Sequence, residues 1–166
     1  MPEKLNNLIS RAKELVKAKD SRQAMSLANE LVKRYSNEAK TWALRGHIHA
    51  LNSEYIEAAS DLTRAININP TEIYYFYSRG RYRFAIHDNK SAVEDFTKGL
   101  DLCDLHKKND FREELHFWRA ETLLRLGKKT EALSDLDQVP EDDYTSWTDR
   151  LRTKAELLAD CGKLEQ

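Results

Sequence analysis

Residues 39–71 read AKTWALRGHIHALNSEYIEAASDLTRAININPT, and their pattern returns when the frame is moved along the chain by 34 residues. The clearest marker is a small residue in each predicted second helix, since Ala24, Ala58 and Ala92 are each 34 residues apart. Ala132 follows Ala92 after 40 residues, so six residues are inserted between the third and fourth copies. A fixed period of this length is typical of proteins that stack one repeated structural unit.

Each copy predicts two helices, because its apolar residues recur at helical spacing and polar turn residues separate the two halves. The six inserted residues lengthen the second helix of the third copy and its linker, since no helix breaker precedes Lys107. We expect Asp20 to cap the second helix and Gly127 to end the seventh. The predicted helices span 3–18, 22–35, 39–51, 55–68, 72–86, 90 to about 107, 111–126, 130–138 and 146 to about 161.

These positions resemble the tetratricopeptide repeat (TPR) family. The small residues of the pattern are Ala12, Gly46, Gly80 and Ala120 at its eighth position, and Ala24, Ala58, Ala92 and Ala132 at its twentieth. Small residues are needed where two helix backbones approach closely. Three positions depart from the pattern: His116 replaces a large apolar residue, and His49 and Arg83 replace a tyrosine.

The resemblance implies an all-α fold, a right-handed α-α superhelix (solenoid) of about four helix pairs plus a C-terminal capping helix. We expect one TPR domain over 1–166, with repeats at approximately 5–38, 39–72, 73–112 and 113–147, and a terminal helix at 146–161. The terminal helix has two interpretations. It caps the array, which stacked repeats require, or the chain is a fragment of a longer array.

Composition argues against several kinds of partner. The net charge is −1, from 27 basic and 28 acidic residues, so we expect no general attraction to nucleic acid or to an anionic membrane. No apolar run is long enough to span a membrane, and the first residues lack the apolar core of a secretory signal. Cys103 and Cys161 lie in different copies and are interpreted as reduced thiols, which favours a cytoplasmic protein.

No motif predicts catalysis, a cofactor or a metal site. The five glycines are spread through the repeats and form no phosphate-binding loop. His47 and His49 are two residues apart on a helix, so they point to different faces and cannot share a metal ion. We therefore expect a protein that is not an enzyme.

The resemblance implies a concave groove lined by the first helix of each copy, at the second, fifth, ninth and twelfth positions. This surface is basic in its first half, aromatic in its middle and acidic at its far end. Tyrosine and arginine are common at binding hot spots, which favours a site in the aromatic part. The predicted partner-binding residues are Lys13, Lys40, His47, Tyr74, Tyr77, Arg81, Phe84, Phe117 and Glu121.

A competing interpretation is that Tyr74, Tyr77 and Phe84 pack on a neighbouring helix and are not free to bind. Aromatic residues at helical spacing are usually core residues. Some TPR proteins hold the acidic carboxyl terminus of heat-shock chaperones with a fixed set of lysine, asparagine and arginine residues. Neither register of this chain matches that carboxylate clamp.

The predicted function is a protein–protein interaction module or adaptor that binds a protein or peptide segment in the groove. The alternative is a TPR chaperone that holds a secretion or assembly client. Binding of single-stranded RNA, known from related helical repeats, is disfavoured by the near-neutral charge. We expect a monomer or weak self-association.

Overall fold

A computed structural model describes residues 2–108, 111–140 and 153–162 of the chain. In these ranges the regular elements are the α-helices α1 (Pro2–Lys17), α2 (Ser21–Arg34), α3 (Ala39–Leu51), α4 (Tyr55–Ile68), α5 (Ile73–Ala85), α6 (Asn89–His106), α7 (Arg112–Arg125), α8 (Lys129–Leu136) and α9 (Lys154–Asp160). The first eight lie within two residues of their predicted ends. The long α6 confirms that the inserted residues extend a helix.

Local signals account for several of the helix ends. The carboxylate of Asp20 accepts a hydrogen bond from the Gln23 amide, which satisfies a free donor in the first turn of α2. Gly127 follows α7 with a φ of +75°, a left-handed conformation that glycine adopts without strain. Both caps confirm the prediction.

The last helix differs from the prediction at its start. The backbone of Thr153 is extended, and Thr153 and Glu156 exchange hydrogen bonds in a capping box, so α9 begins after Thr153. The predicted helix would have run through this residue. Its predicted first part, residues 146–152, lies outside the described residues.

The helices pack as hairpins laid side by side. Each helix from α1 to α8 packs on the next one along the chain, and α9 packs on α7 and α8. The first helices of neighbouring pairs also touch, α1 with α3 and α5 with α7, so they form one layer of the array. This arrangement is the α-α superhelix that the repeat predicts.

Small residues bring the two helices of a pair together. Ala24, Ala58, Ala92 and Ala132 are completely buried. A methyl group added at Gly46 would lie 3.0 Å from the carbonyl oxygen of Ala58, and one added at Gly80 would lie 2.5 Å from the ring of Phe96. The backbones therefore cross at a distance that only small side chains permit.

An arginine–aspartate pair, repeated three times, also joins the helices of a pair. The bidentate pairs are Arg45 with Asp61, Arg79 with Asp95, and Arg119 with Asp135, and their shortest Nη2–Oδ1 distances are 2.7, 2.6 and 2.6 Å. Each aspartate is buried, at 4, 2 and 3% exposure. Because a buried carboxylate without a partner is costly, these pairs fix how the two helices face each other. We call the three pairs the arginine–aspartate ladder.

The ladder also links each pair to the one before it. Nη1 of each arginine donates to a side chain of the preceding second helix: Asn29 at 3.2 Å, Thr63 at 3.0 Å and Thr97 at 3.1 Å. In the first pair the position of the aspartate is held by Leu27. The first pair therefore lacks this ion pair and is held by its own apolar cluster, which includes Leu44 and Ile48 of α3.

The three departures from the family pattern bind carboxylates. Nδ1 of His116 lies 2.8 Å from Oδ1 of Asp135, and Nη1 of Arg83 donates to Asp95 at 2.9 Å. His49 lies 2.6 Å from the carboxylate of Glu54. Nε2 of His49 also lies 3.9 Å from Oδ2 of Asp61, so the side chains at all three positions approach a ladder aspartate, closely in two copies and at longer range in the third.

We expect Ala58→Leu to lower the free energy of unfolding by about 1–3 kcal/mol, because the site is completely buried and the new side chain overpacks it. Urea denaturation followed by circular dichroism measures the change. Ser60→Leu adds the same side chain at an exposed position of the same helix and should change stability by less than about 0.5 kcal/mol. Equal losses in the two variants would contradict the close helix approach.

Asp135 makes stability depend on pH. Burial alone would raise its pKa, but hydrogen bonds from Arg119 and His116, together with their positive charge, lower the pKa below its ordinary value of 3.8. Because the pKa of Asp135 is lower in the folded state, its ionised carboxylate stabilises the fold above pH 3.8. This contribution disappears as the pH falls through the lowered pKa.

We therefore expect Asp135→Asn to cost about 3 kcal/mol of unfolding free energy at pH 7, since it leaves Arg119 without its partner. The difference from the wild type should narrow as the pH falls below 3.8. Denaturation curves between pH 7 and pH 3 measure this difference in unfolding free energy. Asp101→Asn, at an exposed position of α6, is the control. A difference that does not change with pH would contradict the assigned role of the carboxylate.

Candidate functional site

The concave side of the array contains an open hollow of about 740 Å³. It is formed by α1, α3 and α5, which are the first helices of the first three repeats. We call it the α1–α3–α5 hollow. Its volume lies within the range of about 300–1,000 Å³ usual for ligand sites. It is lined by Asn6, Ile9, Ser10, Lys13, Val16, Lys17, Lys40, Ala43, Leu44, His47, Glu72, Tyr74 and Tyr75.

Helical spacing explains why these side chains share one surface. Residues three or four apart lie on the same face of a helix, and this spacing relates Ile9, Lys13 and Val16 on α1. The same spacing relates Lys40, Ala43 and His47 on α3. The apolar members form the floor of the hollow and the basic members stand around it.

The predicted site residues separate into two groups. Lys13, Lys40, His47 and Tyr74 line the hollow. The others lie further along the array and contact one another or neighbouring helices: Tyr77, Arg81, Phe84, Phe117 and Glu121.

The ring of Phe111 covers the aromatic middle of the concave surface. It stacks on Tyr77 with centroids 5.1 Å apart and planes 27° from parallel, and lies 5.8 Å from the ring of Tyr74. Phe111 has a φ of 61°, which is uncommon for a residue other than glycine and costs free energy that the ring contacts offset. The chain thus fills part of its own groove.

Arg81 is held between two aromatic rings. Its guanidinium lies 5.4 Å from the centroid of Tyr77 and 5.0 Å from that of Trp118, and Nη1 donates to the Tyr77 hydroxyl at 3.3 Å. Such cation–π contacts stabilise the approach of α5 to α7. Arg81 therefore has a structural role in this conformation, in addition to the binding role predicted from its position.

The last three predicted residues are buried. Phe84 is 7% exposed, meets Trp118 edge-on at 5.2 Å and lies under the Arg125 guanidinium at 3.5 Å. Phe117 has no exposed surface and Glu121 has 5%. In this conformation the three side chains are packed within the array, and their role in binding stays a prediction.

Electrostatics distinguish the α1–α3–α5 hollow from the rest of the groove. The side chain of His47 keeps some exposure, and its pKa is lowered first by partial desolvation and then by the positive charges of Lys13 and Arg81. Basic groups on two other first helices, α1 and α5, therefore act on His47 of α3. Within the described residues Lys13, Lys17 and Lys40 form no ion pair.

Sequence reasoning missed the role of Phe111. Its position after the six-residue insertion was a usable signal, since an aromatic residue at the end of an inserted segment has to be buried somewhere. Neither a metal-binding cluster of histidine, cysteine, aspartate or glutamate nor a helix able to span a membrane occurs in the part of the chain that the structure describes.

We expect Phe111→Ala to lower the free energy of unfolding by about 1–2 kcal/mol, because it removes two aromatic contacts and keeps the strained backbone. Urea denaturation measures the loss. Leu105→Ala, at a position 72% exposed, should be neutral. If Phe111→Ala is as neutral as this control, the ring does not pack on Tyr77 in solution.

The chain resembles several solved structures. It matches MamA over 82% of its own length and 77% of that chain, with 16% identity and a TM-score of 0.72. It matches YrrB, described as a TPR protein with an unusual peptide-binding site, over 82% of its own length and 67% of that chain. The identity is 21% and the TM-score is 0.70. It matches the TPR2B domain of yeast Sti1, solved as a complex with pHsp70, over 74% of its own length and 98% of that chain. The identity is 18% and the TM-score is 0.69.

No protein-family model and no curated protein sequence matches the chain. At these identities the likeness to solved structures is one of fold. Together with the helix pairs and their 34-residue register, it confirms the suspected resemblance: the chain has the α-α superhelical fold of tetratricopeptide repeat proteins.

Proposed function

We propose that this chain is a non-enzymatic interaction module that holds an extended segment of a partner protein in the α1–α3–α5 hollow. The observation that carries the proposal is the hollow itself, which is open on the concave side and lined by apolar residues and by lysines that form no ion pair with any described residue. A surface of this kind offers an apolar contact together with charges that orient the partner.

The solved structures of this fold support the proposal. YrrB is described as having a peptide-binding site, and the TPR2B domain of yeast Sti1 was solved with pHsp70. The chain does not carry the carboxylate clamp of the heat-shock adaptors. Two of the equivalent positions are Leu44 and Ser78, which are 6% and 4% exposed and carry no charge.

The proposed site is shorter than the one predicted from the sequence. Lys13, Lys40, His47 and Tyr74 remain in it, and Asn6, Ile9, Lys17 and Ala43 join them as lining residues. The residues beyond Tyr74 serve the packing of α5, α7 and Phe111. We also propose that residues 1–166 form a single TPR domain, with the repeat boundaries expected from the period.

We expect His47→Trp to weaken binding of peptides selected by the wild-type protein from a random-peptide display library. The larger ring fills part of the hollow, and a loss of at least tenfold, about 1.4 kcal/mol, should be seen by calorimetry. Ser60→Trp places the same ring at an exposed site of α4 that does not line the hollow, and should leave affinity unchanged.

Circular dichroism checks that both variants are folded. A library that yields no binding peptide, or selected peptides that bind His47→Trp as tightly as the wild type, would refute groove binding. Equal losses in the two tryptophan variants would place the binding surface elsewhere.

A further inference from the structure

The charged side chains that line the α1–α3–α5 hollow are mostly basic. Lys13 and Lys17 stand on α1, and Lys40 and His47 stand on α3. Among the described residues that line it, Glu72 is the one acidic side chain. The whole chain has a net charge of −1, so this concentration of basic groups is local and not a property of the composition.

The lysines are available to a ligand. All three are exposed, and none forms an ion pair with any residue of the described ranges. Positively charged groups that share a concave surface repel one another, and an anionic ligand relieves that repulsion. The pKa of His47 is lowered first by desolvation and then by the charge of Lys13, which agrees with this repulsion.

The floor of the hollow is apolar. Ile9, Val16, Ala43 and Leu44 lie between the basic groups of α1 and α3, while Asn6 and Ser10 add neutral hydrogen-bonding groups. A ligand that matches this surface carries anionic groups at intervals and an apolar group between them. An acidic polypeptide with an aliphatic side chain has this chemistry.

The length of the hollow limits the length of the ligand. Phe111 covers the groove beyond Tyr74, so the open part extends from α1 to the start of α5. Two helix-to-helix spacings of about 8–10 Å give a span of roughly 16–20 Å. An extended chain rises about 3.3 Å a residue, which corresponds to five or six residues.

Resting on the proposed function, we propose that the α1–α3–α5 hollow binds an extended acidic segment of a partner protein. The segment has about five or six residues, with at least two carboxylates placed against the lysines of α1 and α3 and an aliphatic side chain on the floor between them.

Single-stranded nucleic acid fits this surface less well. Proteins that bind it stack the bases on exposed aromatic rings. Here Tyr77 is stacked under Phe111, Phe84 lies under Arg125, and Trp118 is 3% exposed. These three rings are already used for packing, and the half-buried ring of Tyr74 in the hollow contacts the rings of Tyr75 and Phe111.

His47 adds a pH signature to the proposal. Among the described residues, the charged groups that share the hollow with it are Lys13 and Lys17 of α1, Lys40 of α3 and Glu72, and Arg81 of α5 also acts on its charge. A bound carboxylate favours the protonated imidazole, so binding takes up a proton and affinity rises as the pH falls from 8 to 5.5. The peptide carboxylates remain ionised over this range.

The experiment uses the full chain and a labelled acidic hexapeptide, Glu-Leu-Glu-Glu-Ile-Glu, titrated by fluorescence anisotropy. Its uncharged counterpart, Gln-Leu-Gln-Gln-Ile-Gln, and hexauridylate are the comparison probes. We expect the acidic peptide to bind at least tenfold more tightly than either. Equal binding of the uncharged peptide, or tighter binding of hexauridylate, would overturn the proposal.

Charge reversal locates the site. Lys13→Glu combined with Lys40→Glu should reduce affinity for the acidic peptide at least tenfold, and Lys13→Gln with Lys40→Gln should reduce it less. Lys33→Glu combined with Lys98→Glu has the same total charge at exposed positions of α2 and α6, outside the hollow, and should have little effect. Equal losses in both glutamate variants would show a general charge effect and overturn the site.

Failure of the acidic-segment proposal can be distinguished from failure of the proposed groove binding. Library peptides that lack acidic residues but lose affinity on His47→Trp would uphold groove binding and refute the acidic segment. His47→Gln should abolish the rise in affinity between pH 8 and 5.5. A rise that survives this substitution would refute the contact between the peptide and His47.

Discussion

The bidentate contact between an arginine of one helix and an aspartate of its partner, 16 residues later, sets the geometry of the array. Apolar packing alone allows two helices to rotate and slide, because dispersion contacts have little directionality. A buried carboxylate allows much less freedom, since it loses its stabilisation when the guanidinium turns away. Arg79 shows this most fully, as it holds Asp95 in its own pair and Thr63 in the pair before. The directions in which α3, α5 and α7 face the groove follow from these contacts.

Most of the fold could be predicted because its signals are local or periodic. Ala24, Ala58 and Ala92 mark the close approaches, and Asp20 and Gly127 mark helix ends. The arginine–aspartate ladder was equally visible as a 16-residue spacing that recurs with the repeat. It was missed because a search for helical periodicity follows apolar residues and treats charged ones as solvated.

The candidate site could be predicted only in part. Lys13, Lys40 and His47 line the hollow because they keep the repeat register on helices with open space in front of them. Phe84 and Phe117 keep the same register but are buried, since exposure depends on the bulk of side chains on the neighbouring helix. Phe111 lies after an insertion, where the period carries no information. The repeat register predicts which face of its helix a side chain occupies. It does not predict which side chains of the neighbouring helix lie opposite that face.

The absence of a ladder aspartate from the first helix pair affects how the groove can adapt. Leu27 replaces the carboxylate there, and α1 and α2 share an apolar cluster with only two buried residues of α3. The described contacts of α1 are therefore mainly apolar, and the first pair is joined to α3 by the hydrogen bond from Arg45 to Asn29, whereas α3 is joined to α4 by the ion pair of Arg45 and Asp61. Because apolar contacts have little directionality, we expect the side of the cleft formed by α1 to shift more readily than the side formed by α3. A cleft of this kind would accept side chains of different size while the later helix pairs keep their packing.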